Sequence, residues 1–156
     1  MKILHLLSQT HLTGPEVYAA ALCRKQMADG HRCTIVSDTL SVETEATYIP
    51  MEIHNRSLRN RIRNIFLLVT LCHQQQIDLI HAHSRAASWI ANIVARLMNI
   101  GYVSTIHGRQ SKHAIKRKIS VYGNNIIVVC EHLKDHVEHE LNIKNADVRV
   151  IRNGFD

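Results

Sequence analysis

The sequence predicts an α/β domain built on a doubly wound, mainly parallel sheet with helices on both faces. Three observations predict it. Apolar runs of about four to six residues alternate along the whole chain with longer segments of helical periodicity, the order expected of βαβ units. Runs such as Ile126-Ile127-Val128-Val129 are apolar at every position, as strands buried on both faces are. Run after run ends in a glycine or a chemically versatile side chain. In a parallel sheet all strand carboxyl ends lie along one edge, where open α/β folds bind their ligands. The arrangement is Rossmann-like.

The elements follow in order. A strand at 2–7 leads through a loop to a helix at 15–29; Pro15 suits its first turn and Gly30 its carboxyl end. A strand is read at 32–37, and the polar residues 38–45 form a loop. A further strand is expected at 47–53, followed by a helix at 57–75 with Leu58, Ile62, Ile65, Phe66 and Val69 at helical spacing. Strand 78–82, helix 84–98, strand 102–106, helix 111–121, strand 125–129, helix 131–141 and strand 147–151 complete the chain. No repeat or low-complexity stretch interrupts it.

At 156 residues the chain is read as one domain, 1–156, with room for a real core. Lys and Arg total 19 against 13 for Asp and Glu, a formal charge of +6. That favours an anionic partner: a phosphorylated ligand, a membrane surface or nucleic acid. Nucleic acid is the least supported, because aromatics do not interleave with the charges. Cys23, Cys33, Cys72 and Cys130 form no C-x-x-C pair; they read as reduced thiols of a cytoplasmic protein. No signal peptide or membrane-spanning stretch is visible.

Several polar groups fall at strand ends. Thr13, Gly14 and Glu16 follow the first strand. A helix amino terminus there offers unpaired N–H groups, and a glycine lets a phosphate approach the backbone. Equally, Gly14 simply starts a helix, and neither G-x-G-x-x-G nor a P-loop is present. His81 and His83, two apart at a strand end, point to one face. With His107 they would place three imidazoles near one rim. No carboxylate or cysteine sits at helpful spacing, so no metal is expected. His107, followed by Gly108, is the better functional candidate. Arg85 sits at a rim and a helix start, where it can hold a hydroxyl or phosphate. Arg56, Arg59, Arg61 and Arg63 form one basic cluster, and Lys112, Lys116, Arg117 and Lys118 a second. They are read as an anionic-surface contact or as a solvated helix face.

These residues line up with a known pattern. Thr13-Gly14-Pro15-Glu16 resembles a G-G-x-E loop, followed after a helix by Gly30-His31. Asp78-Leu79-Ile80-His81-Ala82-His83 resembles D-[IV]-[IV]-H-x-H, and Thr105-Ile106-His107-Gly108 resembles T-x-H-G. Ile127-Val128-Val129-Cys130-Glu131 resembles V-x-x-S-E, and Val150-Ile151-Arg152-Asn153-Gly154-Phe155-Asp156 resembles V-I-x-N-G-[VI]-D. The order and spacing resemble the amino-terminal domain of family 4 glycosyltransferases of the GT-B fold, over essentially the whole chain.

The resemblance implies an acceptor-side half of a two-domain enzyme, with a carboxyl-terminal donor-binding domain beyond Asn153, Gly154 and Asp156 at the junction. It implies transfer of a sugar from a nucleotide-sugar donor to a glycan or lipid-linked acceptor, with retention of configuration. Bacterial envelope polysaccharide or lipopolysaccharide is the implied destination. No cofactor beyond the co-substrate and no nucleic acid is implied, and peripheral contact with the inner face of an anionic membrane is. Thr13, Gly14 and Glu16 become the donor-phosphate loop and His107 the residue on the transferred sugar. His83, Arg85 and Gly108 fall on the acceptor side. Arg56, Arg59, Arg63, Lys112 and Lys116 become the anionic surface. Thr13 stands for the family's first glycine and Cys130 for its serine. The competing reading is a stand-alone binding module for a nucleotide or anionic glycan. A response-regulator or flavodoxin-like domain would need an acidic cluster or a flavin-phosphate loop, and neither is evident.

Overall fold

The computed structural model describes residues 1–9, 11, 13–109, 121–141, 143 and 145–153. Seven strands form one sheet: β1 (Lys2–Leu6), β2 (Arg32–Ser37), β3 (Thr47–Pro50), β4 (Leu79–Ala82), β5 (Gly101–Ile106), β6 (Asn125–Val128) and β7 (Asp147–Val150). Their order is β3-β2-β1-β4-β5-β6-β7, and every pairing is parallel. The strand order reverses between β1 and β4. There the connections leave in opposite directions and open a crevice at the carboxyl edge.

The helices are α1 (Gly14–Ala28), α2 (Leu58–Gln75), α3 (Arg85–Met98) and the short α4 (Glu131–Asp135). Pro15 lies in the first turn of α1. Beyond it, Gly30 takes the left-handed φ of 95°, while the N–H of His31 reaches back to the Gln26 carbonyl. Such a glycine ends a helix without a Cβ penalty. Helix 131–141 divides: α4 passes into a π-helical turn over His136–Glu140. The third strand is shorter than the 47–53 expected. The helix expected at 111–121 lies almost wholly outside the described residues.

The two faces carry different loads. Leu4, Leu6, Val36, Ile80 and Ala82 pack with Leu68, Cys72, Ile90, Ala91 and Val94 of α2 and α3. Strand register puts Ile126, Val128 and Val148 on this same face, against Leu133 of α4 and Val137. The opposite face carries Ile3, Leu7, Cys33 and Ile35 beneath Ala19 and Cys23 of α1. Among the described helices, α1 alone covers that face. Two-sided burial of β6 is therefore not observed: Ile127, pointing away from α4, is only half-buried.

The apolar stripe of α2 also divides. Ile65 and Val69 pack on the core, but Leu58, Ile62 and Phe66 are exposed, Phe66 at 70%. Asn60 and Asn64 take the buried side instead, both donating side-chain N–H to the Glu52 carbonyl at 2.6 and 2.7 Å. The need to tie down the chain entering the helix outweighs the apolar pattern here.

Candidate functional site

The strand ends gather the expected chemistry around a row of histidines. In the β1–β4 ladder His5 stands opposite His81, and His83 follows two residues on, so the three rings share one face. His107 comes just past β5. His81 stacks on His83 with ring centroids 4.1 Å apart and planes 24° apart. His83 stacks with His5 at 5.2 Å and with His107 at 5.6 Å. His5, His81 and His83 are buried, and His107 at the rim is half-buried.

Hydrogen bonds run along the row. His5 Nε2 meets Gln26 Oε1 at 2.8 Å, and His5 Nδ1 meets His83 Nε2 at 2.9 Å. His83 Nδ1 meets His107 Nε2 at 3.3 Å. A side branch joins His81 Nε2 to Thr105 Oγ1 at 2.6 Å. Tyr18, one turn into α1, lays its ring edge-on to His107 at 4.8 Å and to His83 at 5.7 Å. Burial holds His5 and His107 down to a pKa of about 4. Burial, aided by the neighbouring rings, pushes His81 and His83 well below the usual imidazole value. All four are neutral at pH 7, so each has one donor and one acceptor nitrogen.

Nitrogens of His5, His81 and His83 lie within 4.8 Å of one another, as metal ligands would. The His5–His83 approach is a hydrogen bond of 2.9 Å, which a proton bridges.

Other expected residues fall as follows. Thr13 caps α1 with extended backbone, and its hydroxyl donates to Gln9 Oε1 at 2.8 Å. Gly14 opens α1 at the rim, where a Cβ would meet no atom within 4 Å. None of the described residues packs so closely that a glycine is required there. Glu16 is buried, and its Oε1 accepts the Ser41 N–H, pinning the 38–45 loop that leaves the carboxyl end of β2. His83 has both ring nitrogens engaged, so it reaches a ligand only through His107. Gly108 is exposed beside His107. Asp78 of the D-[IV]-[IV]-H-x-H run lies at the other end of its strand, accepting the Lys2 N–H at 2.8 Å. Its role is to hold β1 against β4.

Arg85 begins α3 behind Ser84, whose hydroxyl caps the helix and meets Ser8 Oγ at 2.7 Å. The charges of Arg56 and Arg85 both lower the Arg61 pKa, behind the larger effect of burial. Three guanidinium groups thus gather around the starts of α2 and α3. Arg61 also lies over the Trp89 ring at 4.4 Å. Arg56 and Arg59 are exposed, whereas Arg63 is engaged with Glu52 at 3.3 Å and Asn60 at 2.7 Å. Asn153 is exposed past β7; Lys112, Lys116, Gly154 and Asp156 lie outside the described residues.

The sequence reading missed His5, Gln26 and Tyr18. His5 carried a signal, as the one polar residue inside the run Ile3-Leu4-His5-Leu6-Leu7. It also missed a contact after β5: Arg109 reaches His132 and Glu140, and Glu140 also meets His136 at 3.0 Å. That ties the His107 loop to the π-helical turn.

Comparison with known proteins agrees with this architecture. A curated relative, the UDP-Gal:alpha-D-GlcNAc-diphosphoundecaprenol alpha-1,3-galactosyltransferase of Escherichia coli, is 25% identical, covering 78% of this chain and 34% of its own length. Among solved structures, a glycosyltransferase from Rickettsia africae superposes with a TM-score of 0.81 at 18% identity, over 99% of this chain and 43% of that one. Anabaena HepE in complex with UDP and glucose gives 0.77 at 15% identity, over 100% and 45%. The chain thus spans about a third to a half of the length of these relatives. The family description Glycosyltransferase Family 4 matches residues 12–156. With a match over nearly its whole length and a fold in agreement, the chain belongs to Glycosyltransferase Family 4.

Proposed function

We propose that this chain is the acceptor-side half of a retaining glycosyltransferase, moving a sugar from a nucleotide donor to a glycan or lipid-linked acceptor of the bacterial envelope. The observation that carries the reading is the placement of His107 and the Thr13-Gly14 helix start on the carboxyl edge, either side of the point where strand order reverses. The names of the relatives support a nucleotide-linked donor and a polyprenyl diphosphate acceptor. A donor-binding domain following Asn153, Gly154 and Asp156 closes the cleft from the other side.

In this reading the chain supplies position and charge, with no covalent nucleophile. The open surface over Gly14 and the unpaired N–H groups at the start of α1 receive the donor phosphates. His107, neutral and braced by His83 and Tyr18, holds a hydroxyl of the transferred sugar. Arg56, Arg61 and Arg85 attract an anionic acceptor. Fixed groups of this kind act by orientation and electrostatic stabilisation.

The test is transfer itself. A protein carrying this chain together with a donor-binding domain is expected to transfer sugar from a UDP-sugar, with the product anomer matching the donor's by NMR. This chain alone is expected to show none; turnover by it alone, or an inverted product, overturns the reading.

Contact with a membrane belongs to the same proposal. No helix among the described residues is long and apolar enough to cross one. Instead the outer face of α2 presents Leu58, Ile62, Phe66 and Leu67, 47–70% exposed, beside Arg56 and Arg59. That pairing suits a helix lying on an anionic surface. Neutralising Arg56 and Arg59 together is expected to weaken flotation with phosphatidylglycerol vesicles roughly 30-fold, at about 1 kcal/mol per charge. Phe66→Ser is expected to weaken it further, and Arg63→Gln to do little because Glu52 already holds Arg63. Equal flotation of all variants would leave α2 as plain solvated surface.

A further inference from the structure

The histidine row has a direction. At its inner end Gln26 Oε1 takes two contacts: His5 Nε2 at 2.8 Å and the Cys33 thiol at 3.4 Å. The Gln26 amide oxygen faces both groups, and the Cys33 thiol points its hydrogen to it in preference to the Cys23 carbonyl at 3.9 Å. A carbonyl oxygen only accepts, so His5 carries its proton on Nε2. In a neutral ring, His5 Nδ1 is then bare and accepts from His83 Nε2. By the same rule His83 Nδ1 is bare and accepts from His107 Nε2. The last ring is left with a bare Nδ1.

We propose that Gln26 and His5 are positioning residues that fix the tautomer of His107 through His83, so that His107 presents Nδ1 as a hydrogen-bond acceptor. The tautomer rests on the chain of contacts. Only its use, to accept from a hydroxyl of the transferred sugar, rests on the proposed function.

The setting suits the task. His5 and His83 are 0% and 2% exposed, so water cannot break the sequence of donors and acceptors from within. The surrounding groups, Gln26, Cys23, Cys33, Thr105 and Tyr18, are uncharged at neutral pH, and burial raises the Cys23, Cys33 and Tyr18 pKa values. No neighbour among them offers a charge that would protonate a ring. Gln26 lies at the last turn of α1 and Tyr18 two turns earlier. One helix therefore holds both the end that sets the proton and the ring that braces His107.

The test uses this chain, ¹⁵N-labelled at histidine, with ring tautomers read from two- and three-bond proton–nitrogen correlations. In the unsubstituted protein His5, His83 and His107 are each expected as the Nε2–H form, with a nitrogen–nitrogen coupling across the His5–His83 hydrogen bond. Gln26→Lys puts a donor where the acceptor was, and is expected to reverse the row. The Nδ1–H form of His107 then rises from below about one tenth to the major species. Gln26→Leu removes the anchor and is expected to leave His107 as a mixture. A structural role for Gln26 would move none of these signals.

An Nδ1–H form on any of the three rings in the unsubstituted protein overturns the proposal, and this arm does not depend on any variant folding. A His107 spectrum unchanged in both variants overturns the role of Gln26. In a protein that also carries the donor domain, Gln26→Lys is expected to lower kcat roughly tenfold with donor KM within about twofold. Intact tautomers without any sugar transfer would sink the proposed function and leave the row standing.

Discussion

Replacing His107 by alanine, in a protein that carries this chain with a donor-binding domain, is expected to lower kcat roughly 10²-fold, the usual cost of losing one well-placed polar contact to the reacting group. The ring sits where β5 ends, gripped from behind by His83 Nδ1 and from the side by the Tyr18 edge. Alanine removes the hydrogen-bonding nitrogen and admits water to the rim. The fold is expected to survive, because His107 is half-buried and lies outside all three apolar clusters. Its edge contact is worth about 1 kcal/mol. Steady-state kinetics and a thermal melt separate the two effects: kcat falls, KM changes less, and Tm drops by a few degrees at most. Unchanged kcat would make His107 a structural residue.

The second large effect is acid lability. The four rings are neutral in the folded protein, with His5 and His107 at about 4 and His81 and His83 well below the usual value. An unfolded chain protonates each near 6.5. Above that pH neither state binds the extra protons, and the stabilisation from neutral burial is complete. Below it the unfolded state takes them up first, and stability falls by up to about 1.4 kcal/mol per pH unit for each ring. Down to pH 4, then, the loss amounts to several kcal/mol, against a total of about 5–15 for a typical domain. Urea melts at pH 7, 6 and 5 are expected to show a steep fall in midpoint. A midpoint flat to pH 5, dropping only where carboxylates titrate, would show that the rings are not buried neutral.

Much of the fold was legible because the strands are short apolar runs with polar punctuation, and a parallel ladder needs nothing more to be recognised. Strand order was not. His5 and His83 are 78 residues apart in the chain, and no local periodicity says that β1 and β4 are neighbours. So His81, His83 and His107 could be picked out at strand ends, while His5 was passed over inside its run, together with Gln26, which only the α1 packing brings beneath it. Glu16 was legible as a helix-start carboxylate, but its loop partner Ser41 was not. The α2 stripe misled for another reason. Leu58, Ile62 and Phe66 continue the same helical period as Ile65 and Val69, and only the buried Asn60 and Asn64 show which side faces the sheet.

The imidazoles of the row stand at the carboxyl ends of three adjacent strands, β1, β4 and β5, so their separations of 5.2 and 5.6 Å stay close to the distance between neighbouring strands, about 4.8 Å. His5 lies within β1, while His83 and His107 follow directly on the last residues of β4 and β5. The nitrogen at the mouth is one residue from the hydrogen-bonded ladder, which limits how far its ring can drift. Substitutions behind the sheet, among Ile80, Ile90 or Val94, reach the chemistry only by altering how strongly the strands coil.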